Sequence, residues 1–223
     1  MEAKEFDSAI AWLRTQGMQA LVLDLRNNPG GVLDSSLAIA NRFIPKGVLV
    51  TTASRDGTAA TLAKEERCTL EGLPLVVLVG SSSASASEVL AGALQDHRAG
   101  ALVGNSTYGK GAVQTLARYD GLNAIVKLTT SYYMTPAERV IERGLTGPEE
   151  AGLAPDLNVE LSAEERDALH EFLASYGPPP SARTALEAWE QESGEQLMAR
   201  APDDPQLQAA VGLLTGSITP RTP

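Results

Sequence analysis

The residues able to do chemistry sit in three small-residue turns. Gly80-Ser-Ser-Ser-Ala-Ser-Ala-Ser-Glu88 is rich in hydroxyls, Gly104-Asn-Ser-Thr-Tyr-Gly-Lys-Gly111 holds one lysine, and Asn27-Asn-Pro-Gly-Gly31 holds paired glycines. In isolation Ser85-Ala-Ser-Glu88 is a capping box, in which serine and glutamate satisfy the opening backbone donors of a helix. Here it follows a buried apolar run. A small-residue turn in that place leaves room for a substrate chain and points backbone N–H groups, with the helix dipole behind them, at one spot. Ser85 there could attack an acyl carbon while the N–H of Ala86 steadies the oxyanion. The capping and nucleophilic roles are compatible.

A serine nucleophile needs a base. His97 lies at the far end of the helix that Ser85 opens, and His170 sits in a C-terminal helix with no partner motif. Lys110 remains, between Gly109 and Gly111 in a turn that follows an apolar strand. A free lysine, with a pKa of about 10.4, is protonated at neutral pH, so Lys110 is expected to be desolvated if it serves as base. If strands 75–79 and 101–103 are parallel neighbours, their C-terminal turns meet and Ser85 and Lys110 come within reach. By itself the Pro29-Gly-Gly31 turn is a strand-to-helix connection. A glycine N–H there could also be the second oxyanion donor, because a residue without Cβ lets a substrate approach the backbone. Asp24 and Arg26 beside it read as structural charges. Lys110 has a rival reading, since Gly104 to Lys110 match the opening of a phosphate-binding loop. Gly111 then stands where Ser or Thr should hold magnesium, and Ala112-Val-Gln-Thr-Leu116 is strand-like where a helix should follow.

The elements that must place these turns follow from periodicity. Phe6, Ile10 and Leu13 make residues 4–16 an amphipathic helix, and residues 33–43 carry a second apolar helical face. Ala20 to Leu25, Val48 to Thr52, Leu75 to Val79 and 101–103 read as strands, and 86–96 as the helix after the serine turn. Strand, glycine turn and helix in that order predict an α/β layer. Residues 54–72 are polar and mixed, with a turn signal at Asp56-Gly57. Val113–Ala117 and Ala124–Tyr133 are expected to pair around Asp120-Gly121. Residues 134–158 read as irregular. Ser162-Ala-Glu-Glu165 caps a helix at 163–174, Gly177-Pro-Pro-Pro180 reads as a stiff linker, and helices are expected at 184–199 and 204–214. Thr215 to Pro223 is expected to be disordered.

Composition narrows the function classes. The chain has 223 residues, 43% of them apolar, enough for one sizeable core. A net charge of −10 and a pI near 4.7 leave no basic stripe for nucleic acid. Cys68 is alone and only two histidines are present, so neither a disulfide nor a His-rich metal site is expected. The N-terminus has no basic region followed by an apolar run, and no stretch approaches membrane-spanning length.

Three blocks together resemble the C-terminal processing peptidases, or tail-specific proteases, the S41 family of serine peptidases. They are Leu23-Asp-Leu-Arg-Asn-Asn-Pro-Gly-Gly31, Ser83-Ala-Ser-Ala-Ser-Glu88 and Thr107-Tyr-Gly-Lys-Gly-Ala-Val-Gln114. Fainter echoes are Gln95-Asp96, Lys127-Leu-Thr-Thr130, Tyr133-Met-Thr-Pro136, Ala154-Pro-Asp156 and Asp204-Pro-Gln-Leu-Gln-Ala-Ala210. The resemblance implies Ser85 as nucleophile, Lys110 as general base, Gln114 orienting the lysine, and an oxyanion hole from the N–H groups of Gly31 and Ala86, with Gly30 a close alternative. It implies a mixed-sheet α/β core of the crotonase and Clp-protease type, with no metal or cofactor. The expected division is a catalytic core at 1–160, a C-terminal helical region at 161–215 and a disordered tail at 216–223. Expected substrates are proteins or peptides with apolar C-termini.

Family members usually carry an export signal or membrane anchor and a PDZ domain that captures C-terminal tails by strand addition. The match here begins inside the expected core, so the PDZ domain and first core strands are expected to lie outside this chain. Apolar surface left open by them would favour self-association or pairing with a separate N-terminal half. The compartment is left open. The main reading is thus a serine-type endopeptidase with a Ser-Lys dyad. The alternatives are a non-catalytic relic or peptide-binding module of the same fold and, with no adenine-binding surface in view, a crotonase-like acyl-CoA enzyme.

Overall fold

Along the chain the elements are α1 (Ala3–Thr15), β1 (Leu21–Asp24), α2 (Leu33–Phe43), β2 (Val48–Ser54), β3 (Gly57–Leu62), a 3-10 turn at Glu65–Arg67, β4 (Leu75–Val79), α3 (Ala86–Asp96), β5 (Ala101–Gly104), β6 (Ala112–Tyr119), β7 (Ala124–Met134), α4 (Arg143–Thr146), β8 (Leu157–Asn158), α5 (Ala163–Ala174) and α6 (Pro205–Leu214). They come from a computed structural model that describes residues 3–119, 124–146, 152–174, 188, 191–194 and 202–216. The expected Asp120-Gly121 turn, the 177–180 linker, nearly all of the 184–199 helix and the tail beyond 216 lie outside the described residues.

Two sheets result. The first is parallel, in the order β1-β4-β5-β8, and the second is antiparallel, in the order β3-β2-β7-β6. β4 explains the layering. All five of its residues are buried, and a strand that is apolar on both faces must be covered on both faces. Leu75, Val77 and Val79 join the large core with Phe6 and Ile10 of α1, Leu37 and Phe43 of α2, and Val89, Leu90 and Leu94 of α3. Val76 and Leu78 point the other way and pack with Val103 against Ala209 and Ala210 of α6. The last described helix is therefore a layer of the same fold.

The neighbour relation expected from sequence holds. β4 and β5 pair in parallel, with Val76 opposite Ala101 and Val79 opposite Gly104, so their C-terminal turns emerge side by side. Gly104 ends β5 at φ +130, where a Cβ would lie 2.1 Å from the Val79 carbonyl oxygen. That approach requires glycine.

α3 is buried from Ala86 through Leu94, so it runs through the interior rather than over the surface. Its far end is tied down by residues that had only faint motif character. Gln95 donates to the Ala154 carbonyl at 3.0 Å and to Asp156 at 3.1 Å. Asp96 accepts from the Ala137 N–H at 2.7 Å and pairs with Arg139. His97 sits at the same end, its Nε2 2.6 Å from the Val48 carbonyl oxygen, and takes no part in the serine turn.

The strand β3 departs from expectation, because 54–72 reads as polar and mixed. β2 and β3 form a hairpin with Ser54 opposite Gly57, and every residue of β3 is exposed. With neither face packed, nothing selects an alternating pattern, so the strand left no periodic signal. β8 and α4 likewise lie within the stretch expected to be irregular. The β6–β7 pair extends the expected one; its distal part is exposed on both faces, with Leu116, Ile125, Val126 and Leu128 all open to solvent, while Tyr133 at the near end packs on the core. Among the described residues no helix is long and apolar enough to cross a membrane.

Candidate active site

Ser85 stands between the β4 turn and α3 with φ 57 and ψ −119. Those are the angles of the second residue of a type II′ turn, a conformation that favours glycine. The Ser87 N–H donates to the Ala84 carbonyl at 3.2 Å and closes the turn. A non-glycine residue held there costs about 1–3 kcal/mol, so the surroundings must over-determine it. They do so through Glu88, which is fully buried. One carboxylate oxygen accepts from the Ser85 N–H and the Lys110 N–H, both at 2.8 Å. The other accepts from the Thr107 hydroxyl at 2.5 Å and the Gly109 N–H at 2.7 Å. Sequence gave Glu88 a capping role only. In the fold the same carboxylate joins the serine turn to the lysine turn.

The shared oxygen bounds the separation of the two turns. The backbone nitrogens of Ser85 and Lys110 each lie 2.8 Å from it, so they are within twice that length of each other. A lysine side chain spans such a gap. The Tyr108 N–H donates to the Ser83 carbonyl at 2.9 Å, a second tie between the turns.

The glycine turn is brought to the same place. The Ala84 N–H donates to the Asn28 carbonyl at 3.2 Å. Gly30, at φ +103, packs so tightly that a Cβ would lie 2.8 Å from the Ala84 carbonyl oxygen, 3.0 Å from Ser85 Cβ and 3.1 Å from the Ala86 nitrogen. The Gly30 N–H is engaged by Asn28 Oδ1 at 3.0 Å. The N–H groups of Gly31 and Ala86 make no hydrogen bond within the described protein. Beside this turn a cavity of about 230 Å³ is lined by Leu25, Val32, Ser36, Ile39, Ser87 and Leu90, among others.

The remaining two candidates are placed differently. Lys110 is exposed, whereas a base role led to the expectation of a desolvated lysine. Among the described residues nothing buries its side chain. Gln114 is also exposed, on β6, where an irregularity in the β6–β7 register falls between it and Val113. Among the described residues no hydrogen bond joins Gln114 to Lys110. Catalytic hydrogen bonds are often loose in the absence of substrate.

Arg26 and Asp24 are structural, as read. Arg26 is buried and paired with Asp24 at 2.6 Å and with Asp204 at 2.8 Å. Asp204 also caps α6, accepting from the Leu207 N–H at 3.0 Å, and Gln206 reaches Asn105 at 3.0 Å and the Val159 carbonyl at 2.8 Å. Burial works to raise the Asp204 carboxyl, but hydrogen bonds from Arg26 and from backbone N–H groups outweigh it and hold the group below its ordinary value. One cluster thus anchors α6 to the strand ends that launch the glycine and lysine turns. His170 is exposed on α5.

Fold and turn geometry define a class: a mixed α/β protein with a strained serine at a strand-to-helix elbow. Residues 1–159 match Peptidase family S41, and the chain belongs to that family. A carboxy-terminal-processing protease of Bartonella bacilliformis is 35% identical over 217 residues, covering 92% of this chain and 46% of that protein. One from Synechocystis is 36% identical over 216 residues, covering 96% of this chain and 41% of that protein. The chain therefore spans less than half the length of these relatives. Among solved structures, a photosystem II D1 C-terminal processing protease aligns with a TM-score of 0.62 at 35% identity, over 71% of this chain and 39% of that one. Mature CPAF complexed with lactacystin aligns with a TM-score of 0.59 at 14% identity, over 86% of this chain and 48% of that one, a likeness of fold.

Proposed function

We propose that this chain carries the catalytic core of a serine-type endopeptidase that cleaves proteins near their C-termini through a Ser-Lys dyad. The observation that carries the reading is the shared Glu88 carboxylate, which holds the Ser85 and Lys110 backbones on one oxygen. Ser85 Oγ attacks the scissile carbonyl carbon while Lys110, in its neutral form, takes the hydroxyl proton. The oxyanion accepts hydrogen bonds from the N–H groups of Gly31 and Ala86, which have no competing partner among the described residues; the Gly30 N–H would first have to leave Asn28. Collapse expels the amine, which takes the proton from Lys110, and leaves an acyl-enzyme. Lys110 then activates the water that clears it. For this the lysine side chain turns inward, off solvent, with Gln114 orienting it. The cavity beside Gly30 receives an apolar side chain next to the scissile bond, in keeping with substrates that have apolar C-termini.

Ser85→Ala and Lys110→Ala should each abolish cleavage of an unfolded protein substrate with an apolar C-terminus while the circular-dichroism spectrum is kept. Cleavage that survives either change sinks the dyad. A second reading, a module that binds peptide without turnover, draws on the exposure of Lys110. A folded wild-type chain whose Ser85 resists a fluorophosphonate probe would favour it.

A further inference from the structure

The backbone of the lysine turn is set from outside. Its four successive N–H groups, Gly109 to Ala112, all donate to carboxylates. Glu88 takes the first two, and Glu142 Oε2 takes Gly111 at 2.8 Å and Ala112 at 2.7 Å. The Gly109 carbonyl accepts from the Arg143 N–H at 3.0 Å, and the Arg143 guanidinium lies 4.8 Å from the centre of the Tyr108 ring. Gly111 packs so closely on this segment that a Cβ would come within 2.7 Å of the Glu142 nitrogen and 3.1 Å of Ile141 Cβ. Glu142 and Arg143 therefore pack directly against the lysine turn.

Lys110 has glycine on both sides, and glycine has the most backbone freedom to lose. Two peptide planes flank the lysine Cα. Glu88 fixes the one before it, through the Lys110 N–H, and Glu142 fixes the one after it, through the Gly111 N–H. The direction of the Lys110 Cα–Cβ bond is defined only when both planes are held. We propose that Glu142 is a positioning residue for Lys110, fixing, through the peptide plane that Glu88 does not hold, the Cα–Cβ direction from which the lysine side chain turns in toward Ser85. The inference rests on the dyad reading above. A single acceptor oxygen meets both N–H groups, so a neutral acceptor at that point keeps the geometry through weaker bonds.

The test uses the full chain with Glu142→Ala and Glu142→Gln. It measures kcat and KM on an unfolded protein substrate, the rate of Ser85 labelling by a fluorophosphonate probe, and amide hydrogen exchange at 109–112. A catalytic group displaced by about 1 Å costs on the order of 100-fold in rate. Glu142→Ala should therefore lower kcat and the labelling rate by about 10–100-fold with KM within about 3-fold, and should speed exchange at Gly111 and Ala112 while α3 stays protected. Glu142→Gln, whose amide oxygen still accepts both bonds, should restore kcat and labelling to within about 3-fold of wild type. Wild-type labelling and exchange in Glu142→Ala overturn the inference, as does a glutamine variant as impaired as the alanine one. Wild-type chain that neither cleaves nor labels, or Ser85→Ala that still cleaves, refutes the dyad reading instead.

Discussion

Glu88→Gln is the sharpest probe of how the two turns are joined. The wild-type carboxylate has two oxygens and four donors: the N–H groups of Ser85 and Lys110 on one, and the Thr107 hydroxyl with the Gly109 N–H on the other. Glutamine replaces one oxygen by an NH2 group that cannot accept. Placed toward Ser85 and Lys110, it leaves two N–H groups without an acceptor. Placed toward Thr107, it can donate to the hydroxyl oxygen, which also accepts from the Leu153 N–H at 2.7 Å; the Gly109 N–H is orphaned and the hydroxyl proton must turn away, but both bonds to Ser85 and Lys110 are kept, so this orientation costs less. One orphaned buried N–H costs about 1–3 kcal/mol. The remaining bonds lose their charge assistance and with it roughly half their strength. Together these give about 3–5 kcal/mol, a large share of the ~5–15 kcal/mol that stabilises a typical domain. Urea unfolding with linear extrapolation measures it. The labelling rate of Ser85 should fall with stability, because the same carboxylate aligns both turns. A Glu88→Gln variant within about 1 kcal/mol of wild type and labelled at the wild-type rate would falsify the hub role.

Two further perturbations test strain and the distal clamp. Ser85→Gly relieves a φ of 57 that glycine tolerates; the released strain, less the extra chain entropy glycine loses on folding, should raise stability by about 1 kcal/mol in thermal unfolding while activity disappears. Asp204→Asn leaves buried Arg26 with the Asp24 carboxylate and the neutral Gln206 oxygen and should cost about 3 kcal/mol at neutral pH. The pH dependence follows from the lowered Asp204 carboxyl: its contribution is complete above the ordinary value of 3.8 and is lost as pH falls below it. The difference between wild type and Asp204→Asn in urea unfolding should therefore be constant from pH 7 to about pH 5 and shrink at pH below 3.8. A difference that stays flat through that range would remove Asp204 from the acid response.

The turn built on Ser85 is rigid and the lysine side chain is not. α3 is buried along nine residues from Ala86, and the strained serine is held by a buried carboxylate and a closed turn. The Lys110 backbone is held by two carboxylates, but its side chain is exposed among the described residues. The part of the site set by the core is therefore preorganised, whereas burial of the lysine depends on what packs over that side.

Local pattern determined much of this. The five buried residues of β4 form one unbroken apolar run, long enough for a strand and too short for a helix. Small residues after it mark the elbow, and Ser-x-x-Glu marks the start of α3. The amphipathic faces of α1 and α2 follow from spacing in the same way, because each of these signals is written within a few residues. The tertiary structure decided what depends on distance along the chain. Glu88 reads as a helix cap until Thr107 and Gly109 are brought to it, and Glu142 carries no local signal because its acceptor role exists only where the 141–143 segment folds over Gly111. Arg26 finds Asp204 across 178 positions. β3 is set by pairing with β2 rather than by burial, so it wrote no pattern. The exposure of Lys110 was likewise outside the reach of sequence, since desolvation of a side chain is a property of what surrounds it and not of the residues beside it.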